Sequence, residues 1–300
     1  MEKHIFKFGE NSVAMIVPKK WVDKNGLKPS SMVFISENES GGLVISASET
    51  LKAEADRTVN QRAGAASIGR WVGLHYMFGT GKMHIHSEDS FTQAQVEAVE
   101  NKISAECPGF EITSQSKKDI IIEDLMDIKE VDLGKIAMRL HSLINQEFKE
   151  MSGGDPQSVA KIEKLVNRFY MLGMRYVSIT QAKDAFVYAT QLNLLESISD
   201  NLDLLASNIG GEGMRVFNEL NKQFDACFLA FNGDEKAIEE VLVTREPILK
   251  QIQRLKIDHI YKYLLRSIAD SSSNIAELGF KRRNPYDIPV LKATDLEVKV

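Results

Sequence analysis

Hydrophobic and polar positions change their rhythm twice along this 300-residue chain. Up to about residue 48 the apolar residues come in short runs divided by turn formers. His4–Phe8 and Val13–Val17 flank Gly9-Glu10-Asn11-Ser12, and Val33–Ser36 and Leu43–Ser46 flank Gly41-Gly42. Such runs predict strands joined by turns. Between them, Pro18 opens and Gly26 closes a short helix over Lys19–Asn25, with a further turn at Lys28-Pro29-Ser30-Ser31. Four short strands and one helical turn make a thin core, and a unit of this size usually needs a partner subunit.

Residues 51–124 predict a small α/β linking module. Leu51–Phe78 reads as one long, mostly helical stretch and Met83–His86 as a strand. Thr92–Glu106 reads as a helix stopped by Pro108-Gly109, with a strand pair at Phe110–Ser114 and Asp119–Glu123. From Asp132 the period is helical to about Arg282, in six segments. These run from Asp132 to about Met151, on to about Tyr176, and from Gln181 to Ile209. After the breaker Gly210-Gly211-Glu212-Gly213 come Met214–Asn232, Asp234–Leu255 and Ile257–Lys281. The expected fold is multidomain and mainly α. It has a small all-β head (1–48), the α/β module (51–124), two tandem three-helix bundles (132–210 and 211–282) and a C-terminal tail (283–300).

The two bundles carry a repeat. LLESISDNLDLLASNI at 194–209 returns 70 residues later as LLRSIADSSSNIAELG at 264–279, with Leu194, Leu195, Ser197, Ile198, Asp200 and Ala206 meeting identical residues. A period of that length marks a duplicated helical unit. On a helix, Glu196, Asp200 and Asp203 share one face, and so do Asp270, Asn274 and Glu277. Clustered carboxylates repel one another and need a cation or solvent. Carboxylate-only ligation suits hard divalent cations, and carboxylates in a bundle also hold iron or manganese. Glu196, Asp200, Asp203, Asp270 and Glu277 are therefore the candidate metal ligands; the alternative is a solvated acidic face. In the second copy Arg266 replaces the first carboxylate and can pair with Asp270.

Composition adds exclusions. A net charge of −5 gives no global attraction to nucleic acid. No apolar run approaches the length of a membrane span and the N-terminus lacks a signal-peptide core, so no membrane insertion and a cytoplasmic location are expected. Cys107 and Cys227 read as reduced core residues. Gly79-Thr80-Gly81-Lys82 is not a phosphate loop, because Tyr76 and Met83 stand where glycine and a hydroxyl residue are required. His84 and His86 share a strand face but have no cysteine or third histidine nearby, which leaves them as a surface pair. Glu-x-x-His and Gly-x-Ser-x-Gly are both missing, and no enzymatic activity is expected.

Two stretches resemble known families. The repeated segments look like the paired Leu-Glu-x-Ile-x-Asp and Asn-Ile-Ala-Glu segments of PhoU, the phosphate-uptake regulators. The likeness covers residues 132–282. It implies two three-helix bundles and a Glu/Asp-x-x-x-Asp motif that binds metal clusters, matched by Glu196 and Asp200 and, in the second half, by Asp270 alone. Ile16-Val17-Pro18-Lys19-Lys20-Trp21-Val22 with Gly26-Leu27-Lys28-Pro29 is similar to AbrB/SpoVT-type swapped-hairpin DNA-binding domains, with Ser30-Ser31 where that family usually shows Gly-Asp. This implies a homodimer through residues 1–48 and contact with operator DNA.

The lysines of residues 1–50 balance the acids six to six, but they cluster before residue 29. Lys3, Lys7, Lys19 and Lys20 are the candidate DNA contacts; the alternative is a head kept only for dimerisation. Together the two units resemble archaeal-type PhoU-related regulators with an AbrB-like head. The implied partners are a phosphate-transporter ATPase or a sensor kinase. The other reading is an AbrB-type transcription regulator whose bundles sense a ligand or dimerise, unconnected with phosphate.

Overall fold

A computed structural model describes residues 4–10, 12–37, 42–47, 56–60, 64–126, 131–179, 184–206 and 211–283. The chain divides into two compact units, Met1–Lys52 and Ala53–Val300.

The first unit holds two separate hairpins. Strands β1 (Ile5–Lys7) and β2 (Val13–Met15) pair antiparallel with Ile5 opposite Met15. Their turn needs Gly9, whose φ is +75°, in the left-handed region where a Cβ is unfavourable. Helix α1 (Lys19–Lys24) follows Pro18 and ends at Gly26. Strands β3 (Phe34–Glu37) and β4 (Leu43–Ser46) form the second hairpin, with Ile35 opposite Ile45.

The second unit starts with a four-stranded sheet in the order β5-β6-β8-β7, made of β5 (Asp56–Asn60), β6 (Lys82–His86), β7 (Phe110–Gln115) and β8 (Asp119–Asp124). β5 and β6 are parallel and the other pairs antiparallel. The expected long helix over 51–78 is therefore corrected. The chain forms β5 first, and α2 occupies only Ala65–Met77, after Gly64 in extended conformation. β5 exists because β6 offers it a pairing edge, a tertiary cause invisible to local periodicity. Helix α2 and α3 (Gln93–Glu106) cover one face, α3 opening on a reciprocal Thr92–Gln95 cap. Strand alternation sends Met83, Ile85, Ile120 and Ile122 inward against Ile68, Val72, Tyr76 and Val99. Lys82, His84, His86, Asp119 and Glu123 fall on the other face.

Two helical triplets follow. α4 (Leu133–Gly153), α5 (Pro156–Ile179) and α6 (Ala185–Ala206) pack together, as do α7 (Gly211–Phe231), α8 (Glu235–Arg254) and α9 (His259–Arg283). Side chains of Asp132, Asp155 and Asp234 accept backbone N–H bonds at the starts of α4, α5 and α8. α7 begins at Gly211, inside the expected glycine break; the expected start of the third helix, 181–183, and the tail, 284–300, lie outside the described residues. α6 packs on α9 and α4 on α7, so one apolar core runs through both triplets. At Gly279 a Cβ would fall 2.4 Å from the Ala230 carbonyl oxygen and from the Phe231 Cα. Only glycine lets α9 lie that close to α7.

The repeat is first of all a packing repeat. Leu195 and Leu265, and Ile198 and Ile268, are matched and fully buried. Asn201 of α6 donates to Ser267 of α9 at 3.1 Å, across the boundary between the two halves.

Candidate functional site

In α6, Leu192, Leu195, Ile198, Leu202 and Leu205 are buried. The helical period leaves Glu196, Asp200 and Asp203 on the other side, with Glu196 and Asp203 half-buried and Asp200 exposed. Two carboxylates from neighbouring helices join their electrostatic environment. Glu147 of α4 is fully buried and accepts a 2.7 Å hydrogen bond from the Ser199 hydroxyl, while its Oε2 has no hydrogen-bond partner. Glu163 of α5 is half-buried and accepts from the Asn167 amide.

Proton affinities report the crowding. Burial pushes Glu147 up to about 8, against the bond from Ser199, with Glu163, Asp203 and Asp200 pushing the same way. Burial, then Asp200 and Glu163, raise Glu196 to about 7. Asp200, although exposed as a whole residue, is raised by the partial burial of its carboxyl and then by Asp203, and Glu163 is raised by burial, Asp203 and Asp200. A set of carboxylates that raise one another is relieved by protons or by a cation. Oxygen donors of this kind suit hard cations, and iron or manganese in a bundle.

The second half differs. Asp270 accepts from Arg245 of α8 at 2.6 and 3.0 Å and faces Arg266 at 3.5 Å, while Glu277 is exposed. Two guanidinium groups supply the positive charge there. Among the described residues, the one set of three His, Cys, Asp or Glu side chains with ligand atoms all within 4.8 Å of one another is His84, His86 and Asp119. The structure thus does not bring Glu196, Asp200 and Asp203 that close to one another.

The histidine pair gains from β8 the third group that its spacing in sequence did not offer. His84 Nε2 and His86 Nδ1 both lie 2.8 Å from Asp119 Oδ1. The two histidines are residues i and i+2 of β6, and the ladder sets Asp119 opposite His86. Hydrogen bonds from His86 and His84 hold the Asp119 carboxyl down to about 2. The signal was present in the sequence as two predicted strands; what was missing was their pairing. Cys107 lies beside a shallow cleft lined by Pro108, Phe110 and Arg168, but burial pushes its thiol up to about 12, which makes it a poor nucleophile.

In the first unit Lys7, Lys19 and Lys20 are exposed, and Lys3 lies outside the described residues. Among the described residues of this unit no hydrophobic side chain is buried. Ile5, Phe6, Phe8, Ile16, Met32, Ile35 and Leu43 are each at least half exposed.

Residues 7–52 match the family described as antidote-toxin recognition MazE, bacterial antitoxin. The match makes the first unit similar to AbrB-like, swapped-hairpin type domains and does not extend to the four-stranded sheet or to α2–α9. No curated protein and no solved structure shows significant similarity to the chain. No helix among the described residues is long and apolar enough to cross a membrane.

Proposed function

We propose that the chain is a dimeric, DNA-binding regulator of phosphate uptake. Two heads pair to form the DNA-contacting unit, and the helical body carries the sensing function. The observation that carries the reading is the head itself, whose two hairpins have exposed apolar faces and no buried hydrophobic side chain among the described residues. A unit of this size without a core requires a partner, and a second copy of the same hairpins supplies a matching apolar surface. MazE- and AbrB-like domains typically dimerise and bind DNA, which agrees with exposed lysines at Lys7, Lys19 and Lys20.

The phosphate assignment rests on the likeness of α6 and α9 to the paired PhoU segments. In that reading Glu196 and Asp200 contribute to a metal site in the first half, with Asp203 and Glu147 beside them, and the second half holds an ion pair instead. A phosphate-transporter ATPase or a sensor kinase is the partner for the body, and the chain carries no catalytic step.

Light scattering on the full chain and gel shifts on its own promoter test the head. A dimer is expected, with salt-sensitive DNA binding that Lys19→Ala/Lys20→Ala weakens by about tenfold. Binding indifferent to salt and to both lysines would remove the DNA role. The phosphate role is read from cells lacking the chain: unchanged phosphate uptake on starvation would discard it and leave a regulator of another response. Metal content of the wild type against Glu196→Gln/Asp200→Asn tests the acidic face, and equal content would sink that part.

A further inference from the structure

The face of the β5–β8 sheet turned away from α2 and α3 carries a second, chemically different cluster. Its donor atoms are two imidazole nitrogens and one carboxylate oxygen, held on adjacent strands of one ladder. We propose that His84 Nε2, His86 Nδ1 and Asp119 Oδ1 form a binding site for a borderline transition-metal ion, with Zn2+ the leading candidate.

Three observations support the assignment. First, both histidine nitrogens already converge on the same carboxylate oxygen at 2.8 Å. Two ligands of tetrahedral zinc, each about 2.0–2.1 Å from the metal, stand about 3.3 Å apart. The ion can therefore replace the shared protons after an outward shift of about half an ångström in each pair.

Second, the carboxylate is held in place from its other side. The Ser116 hydroxyl donates to Asp119 Oδ2 at 3.2 Å and accepts from the Asp119 backbone N–H at 2.9 Å. Hydrogen bonds that orient ligating groups in this way are a regular part of metal sites and raise affinity. Third, the two histidines stand on a strand inside the sheet, with β5 on one side and β8 on the other, so the backbone that carries them is fixed.

The donor set decides the ion. Two nitrogens and one oxygen favour Zn2+, Ni2+, Co2+ or Cu2+ over Mg2+ and Ca2+, which prefer oxygen alone. The site is thus distinct in chemistry from the acidic face of α6. The three side chains are about 40 % exposed, so at least one coordination position faces solvent. That position is open to water or to a donor from a bound partner.

The test uses the full-length chain stripped with chelator. Zn2+ is titrated by calorimetry into four proteins: wild type, His84→Gln/His86→Gln, Ser116→Ala and Glu196→Gln/Asp200→Asn. Circular dichroism checks that each is folded. The wild type is expected to take up one Zn2+ per chain at this site, unaffected by millimolar Mg2+. That equivalent disappears in the double histidine variant, persists in the Glu196/Asp200 variant, and weakens by about tenfold in Ser116→Ala. Equal Zn2+ uptake by wild type and the double histidine variant would overturn the proposal. So would the absence of any Zn2+ uptake by the wild type, or its displacement by Mg2+.

Discussion

Arg175 of α5 reaches out of the helical body and pairs with Asp124 at the end of β8. The guanidinium is 1 % exposed, donates to the backbone carbonyls of Tyr76 at 2.7 Å and Thr80 at 3.1 Å, and lies over the rings of Tyr76 and Phe110. One side chain therefore ties the end of α2, the following turn and the last strand to α5. Replacing it strands a mostly buried carboxylate and leaves two carbonyls without their donor. Arg175→Ala is expected to lower stability by about 3–5 kcal/mol in denaturant unfolding. Arg175→Lys should recover only part of this, because an ammonium cannot serve three acceptors across a flat fork.

Glu147 sets a pH dependence. Its carboxyl rises from an ordinary 4.5 to about 8 in the folded chain, so the native state holds a proton that the unfolded state has released. Stability from this group is complete below about 4.5 and is withdrawn as pH rises through about 8. The span is on the order of a few kcal/mol. Glu147→Gln keeps the shape and removes the titration. With chelator present, the variant should lose much less stability than the wild type between pH 5 and pH 8 in urea melts. Parallel curves for the two proteins would show that Glu147 is not the group responsible.

Ser30 holds a strained backbone. Its φ is +75°, the one positive value at a non-glycine position among the described residues. A Cβ in that region costs about 1–2 kcal/mol. The AbrB/SpoVT-type pattern usually has glycine at this place, which adopts that conformation without a Cβ penalty. Ser30→Gly should raise the thermal midpoint of the head and Ser30→Val lower it, both read in melts of the full chain at fixed concentration.

Much of this architecture was legible in the sequence because its signals are local. Asp132 and Asp234 cap helices where the apolar period begins, Gly154 adopts the left-handed conformation after α4, and β4 occupies the expected Leu43–Ser46. What was not legible depends on pairing across distance. β5 is a strand because Lys82–His86 lies beside it. Asp119 completes the histidine pair because β8 docks on β6. Glu147 enters the acidic environment because α4 lies against α6, with Ser199 as the contact. The repeat told of duplication but not of its charges: Arg245, from a helix outside the copied segment, neutralises Asp270, and nothing in the alignment of the two copies points to it.

The meeting of α6 with α9 has a consequence for how the body comes apart. Each copied helix is both the last wall of its own triplet and the seam to the other. Leu195, Ile198 and their counterparts Leu265 and Ile268 belong to one continuous apolar core, so cutting the chain between the triplets would divide that core and leave neither fragment a finished interior. The two faces on either side of that seam also differ in charge: α6 keeps its carboxylates, while on α9 Asp270 is met by arginine.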